Sequence, residues 1–157
     1  MREDSLEEVV DSFFANAPAD VCLVVKVHPV DRGFREYSGA LRGIQRRAGR
    51  GRVILVDRVD LGELLSQAAG VVTVNSTVGL TALRHLTPVV VLGSAIYDLP
   101  GLTFKEGIAR FWNEAEEARP DSDAVHQFIN LLEATIQGRG ALARRCYEIP
   151  QHRAGVI

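Results

Sequence analysis

Cysteine, tryptophan and methionine are scarce in this 157-residue chain, which holds two Cys, one Trp and one Met. The two cysteines, Cys22 in an apolar run and Cys146 near the end, make neither a disulfide framework nor a metal-ligand spacing. A reducing compartment is therefore the default expectation. Long hydrophobic runs are missing too: none reaches the roughly 20 residues that a bilayer span needs. Arg2-Glu3-Asp4 does not open a secretory signal, so the reading is a cytoplasmic protein. Charge of one sign is not in excess either. Eighteen Lys and Arg against 20 Asp and Glu leave a net charge of −2, which argues against a dedicated nucleic-acid binder. There is no GxxxxGK phosphate loop, no GxGxxG after a strand, no GxSxG elbow and no zinc pattern. Gly49-Arg50-Gly51 precedes a strand and does not qualify. ATPases, ordinary dehydrogenases and hydrolases drop out, and no metal is expected.

The rest of the composition is ordinary. A chain with 46% hydrophobic and 24% charged residues fits one globular domain, burying roughly 70% of its unfolded surface. Leu6, Val9, Val10, Phe13 and Phe14 recur at helical spacing after Ser5, with Glu8 completing a capping box, and Pro18 ends that helix. The pattern then predicts strand 21–27, a helix near 36–48, strand 53–56, helix 61–69, strand 71–74, helix 78–86 and strand 89–92. Residues 93–122 carry Gly, Pro and aromatics without a clear period and read as a structured loop. A last helix is expected over 123–137, stopped by Gly138. Near-continuous apolar strands alternating with helices predict an α/β fold, a doubly wound, Rossmann-like parallel sheet covered on both faces. Residues 1–140 form the expected domain and 141–157 a C-terminal tail. The chain opens on a helix where most such domains open on a strand, which suggests a missing N-terminal part.

Ligands of open parallel sheets bind at the carboxyl ends of the strands, and polar residues gather at two such ends. Lys26, His28 and Pro29 close the first strand. Asn75, Ser76 and Thr77 follow the strand at 71–74 and open the next helix. There the free amide N–H groups and the positive dipole end favour an anion. Each residue also has a plainer reading: Pro29 ends a strand with His28 incidental, and Ser76 or Thr77 is simply an N-cap. Gly79 weakens its helix, by about 1 kcal/mol against Ala, and so suggests a close approach of backbone or ligand. Asp57 and Asp60 stand where a base or ribose is read, with loop solvation as the alternative. Tyr97, Asp98, Pro100 and Gly101 form a candidate lid. The five arginines from Arg42 to Arg52 suit a solvated helix end, with an anionic lipid surface as the alternative. That alternative carries the expectation of peripheral contact with an inner membrane.

KVHPVDRG, VVTVNSTVGLTAL, PVVVLGSAIYDLPGLT and the Phe111-Trp112 pair closely resemble the capsule polysaccharide biosynthesis and export family of KpsS- and LipB-like proteins. The resemblance covers about residues 4–137. It implies a β-Kdo glycosyltransferase using CMP-Kdo, built as two Rossmann-like domains in a GT-B arrangement, of which this chain resembles the C-terminal, nucleotide-binding one. Bacterial sialyltransferases of similar architecture carry an HP motif and a Ser-Ser/Thr motif that hold the CMP phosphate. By that analogy His28 and Ser76-Thr77 stabilise the departing phosphate in place of a metal ion, with Lys26 adding positive potential. The implied partners are a nucleotide sugar and an absent N-terminal acceptor domain or partner chain, with a homodimer through the uncovered face. No cofactor is expected. The alternatives are a non-catalytic binding or assembly subunit of polysaccharide export, or a GT-B-like protein using another nucleotide sugar.

Overall fold

A computed structural model describes residues 3–26, 43, 51–56 and 59–136. Helix α1 (Glu3–Asn16) places Leu6, Val9, Val10 and Phe13 on one face, and all four are buried, Phe13 completely. The helix begins at Glu3, so Ser5 lies in its first turn and not at the cap. The buried face packs on Leu23, Val53 and Trp112. Phe13 and Trp112 meet edge to face, centroids 5.2 Å apart. The Arg52 guanidinium sits 4.8 Å from the Phe13 centroid while its Nη2 donates to the Pro18 carbonyl at 2.8 Å.

Strands β1 (Leu23–Lys26) and β2 (Val53–Val56) run parallel, from Leu23 beside Val53 to Lys26 beside Val56. The short helix α2 (Leu61–Ser66) starts at Asp60, whose Oδ1 accepts the Glu63 N–H at 2.9 Å. Asp60 is thus a helix cap. Strand β3 (Val71–Thr73), helix α3 (Thr77–Arg84) and strand β4 (Val89–Val91) follow, and β3 pairs with β4 in parallel. This is a βαβ unit, since parallel neighbours need a crossover. Around it Leu65, Ala82, Leu83, Val89, Tyr97, Leu102 and Val125 form a second core.

Two features differ from the sequence reading. The four strands form two two-stranded parallel sheets, where one continuous sheet was expected. Hydrophobic runs identify buried strands but carry no record of which strands are neighbours. The stretch 93–122, read as loop, contains helix α4 (Ile108–Glu114). At two turns its period is too short to detect, and its buried residues, Phe111 and Trp112, are consecutive. Arg110 braces it through Glu106 and Glu114, each four residues away. The last helix, α5 (Ser122–Ile136), is led by Asp121, whose Oδ1 accepts the Ala124 N–H at 2.8 Å. Of the expected helix near 36–48 only Gly43 is among the described residues, and the tail from 141 lies outside them. None of the described helices is long and apolar enough to cross a membrane.

Phe13→Ala should cost about 3–5 kcal/mol of stability, the usual range for emptying a buried aromatic site. Urea unfolding followed by tryptophan fluorescence reads this directly, because Trp112 lies against the altered position. A loss under about 1 kcal/mol, typical of an unremarkable substitution, would show that α1 is not part of the cooperative core.

Candidate functional site

Strand β3 ends at a turn in which Asn75, Ser76 and Thr77 are all exposed. Ser76 has extended backbone angles (φ −77°, ψ 147°) and its Oγ accepts the Val78 N–H at 3.2 Å, so it is the N-cap of α3. A capping hydroxyl keeps its own proton available for donation. Thr77 is the first residue of the helix and, like Asn75, is exposed. The Ser76 N–H donates to Thr73 Oγ1 at 3.2 Å, drawing in a buried threonine that the sequence reading passed over. Its only signal was a hydroxyl ending an apolar strand.

The turn is pinned from the far side of β4. Leu92 N–H donates to the Thr73 carbonyl at 2.8 Å and Gly93 N–H to the Val74 carbonyl at 3.0 Å. These bonds carry the ladder beyond the two strands. A Cβ on Gly93 would lie 2.6 Å from the Val74 oxygen, so no other residue allows this approach. The chain then returns Tyr97 beneath α3. Tyr97 is 3% exposed, and its hydroxyl donates to the Ser76 carbonyl. Burial raises its pKa; a hydrogen bond with Thr73 opposes this and the Asp98 charge adds to it. The hydroxyl therefore remains a donor through the neutral range. The close approach signalled by Gly79 is made by this ring: a Cβ there would lie 2.7 Å from Tyr97 Cε2 and Cζ.

Asp98 fastens the loop that carries Tyr97. Its carboxylate accepts from Thr103 Oγ1 at 2.7 Å and from Lys105 Nζ. Burial pushes the Asp98 pKa up, but the hydrogen bonds from Lys105 and Thr103 and the Lys105 charge outweigh it and hold the pKa below its ordinary value. Gly101, at φ 81°, belongs to the same loop, but its carbonyl accepts the Asp121 N–H at 3.0 Å, tying it to the start of α5.

The structure thus gathers Asn75, Ser76, Thr77, Gly79 and Tyr97 around one helix start. Lys26, half-buried, ends β1 in the other two-stranded sheet. His28, Pro29 and Asp57 lie outside the described residues. Among the described residues no cluster of three or more His, Cys, Asp or Glu is placed to hold a metal ion.

A parallel βαβ unit whose helix opens on an exposed polar turn defines a class, and comparison with known proteins narrows it. The chain belongs to the capsule polysaccharide biosynthesis protein family, which it matches over residues 2–142. It is 39% identical over 130 residues to the capsule polysaccharide export protein KpsS of Escherichia coli, covering 82% of this chain and 33% of that protein. It is 42% identical over 125 residues to the capsule polysaccharide modification protein LipB of Neisseria meningitidis serogroup A, covering 78% of this chain and 29% of LipB. The serogroup B LipB matches to the same extent. The chain therefore spans about a third of the length of these relatives. No solved structure matches it.

Gly79→Ala should destabilise the protein although Ala favours a helix by about 1 kcal/mol, because the new methyl meets the Tyr97 ring. The loss should shrink in a Tyr97→Leu background, and a double-mutant cycle in chemical denaturation measures the difference. Additive effects at these two positions would contradict the packing described.

Proposed function

We propose that this chain supplies the donor-nucleotide-binding part of a glycosyltransferase in capsule polysaccharide biosynthesis, with CMP-Kdo as donor and β-Kdo as the transferred sugar. The observation that carries this reading is the exposed Asn75-Ser76-Thr77 turn, which opens α3 at the carboxyl end of a parallel strand. Family membership and the names of the relatives support a place in capsule synthesis. Cytidine and Kdo come from the resemblance of the motifs.

On this reading the chemistry is leaving-group stabilisation. As the glycosidic bond to the donor sugar breaks, negative charge grows on the departing nucleotide phosphate. Donors already aimed at that oxygen lower the barrier, and losing one commonly slows turnover on the order of 10²-fold. Ser76 and Thr77 supply hydroxyls and helix N–H groups, His28 an imidazole N–H, and Lys26 a positive field. His28 is the residue proposed to act on the reacting phosphate. The acceptor site and the attacking or activating carboxylate belong to the part of the relatives that this chain does not cover. Leu92, Ile96 and Leu99, all exposed in the segment that follows β4, are the apolar side chains this chain offers to that part. The name of the E. coli relative favours a second reading, a binding or assembly subunit of polysaccharide export.

Calorimetric titration should give a measurable affinity for CMP and weaker binding of UDP and GDP. His28→Ala and Ser76→Ala should each weaken CMP binding, while the loss of the Ser76 cap costs about 1 kcal/mol of stability and leaves the fold intact. Unchanged CMP affinity in both variants would reject the phosphate site. The isolated chain should show no sugar transfer from CMP-Kdo when product is followed by mass spectrometry. Full turnover by these 157 residues would overturn the division of labour.

A further inference from the structure

We draw no further inference here: the strongest candidate, the exposed apolar side chains of Leu92, Ile96 and Leu99 in the segment after β4, carries nothing because nothing in the structure shows what covers them.

Discussion

A helix that starts at the end of a buried strand must satisfy its first backbone groups within a space the sheet and its covering layer already crowd. Here the solution is the stack of Tyr97 beneath the Ser76 carbonyl, with no side chain at position 79 to hold the ring away. The rest of the βαβ unit follows from it. Thr73, Ser76 and Tyr97 come from a strand end, a cap and a loop beyond the next strand, so the turn is not a local motif. It forms only when β4 has paired with β3 and the loop after β4 has folded back. That return is itself anchored: Phe104 N–H donates to the Val89 carbonyl at 2.8 Å, and Phe104 makes a parallel bridge with Val90. The polar turn takes partners from the core below it, since Thr73 and Tyr97 are both buried.

The two halves of the fold meet through α4. Successive residues on a helix point about 100° apart, and α4 uses this on two neighbouring aromatics. Trp112 enters the core with α1, β1 and β2, its Nε1 donating to Ser12 Oγ at 3.0 Å. Phe111 enters the cluster with Val90 and Ala115. Val72 of β3 packs against both clusters. Asn113 adds a bond to the last carbonyl of α1. Among the described residues, the position of the β1 end, with Lys26, relative to the β3–α3 turn is therefore set by packing on α4 and Val72 and not by a shared strand ladder.

That arrangement explains what the sequence revealed. The elements with strong periodic signals, α1, α5 and the four apolar strands, were legible to within a few residues, because burial of a regular face writes a period into the chain. The Ser76 cap was legible for the same reason: capping demands a short polar side chain at a fixed position. Pairing of the strands was not legible, since Val71–Thr73 and Val53–Val56 look alike as apolar runs whichever neighbour they take. Neither was α4, whose two buried residues are adjacent in sequence. Gly79 did announce a close approach, but a missing side chain says only that something is near. That the intruder is Tyr97, 18 residues on by the sequence numbering, depends on the path of the loop after β4. Asp60 shows the reverse ambiguity: an acidic residue after a strand serves as a helix cap as readily as a ligand contact.

Exposure of the turn bears on how such a site would work. Asn75, Ser76 and Thr77 face solvent, where a hydrogen bond to phosphate replaces one to water and gains little. The same donors act far more strongly once water is excluded and the effective dielectric falls. On the proposed reading, catalytic stabilisation of a departing phosphate therefore needs a cover over the turn. This chain spans about a third of its relatives' length, and the segment after β4 leaves Leu92, Ile96 and Leu99 exposed. On the proposed reading, the capped start of α3 is the share that this chain supplies alone. The strength of its donors is, on that same reading, conferred by what closes over them, so preorganisation and catalytic power are assigned to different parts of the assembled protein.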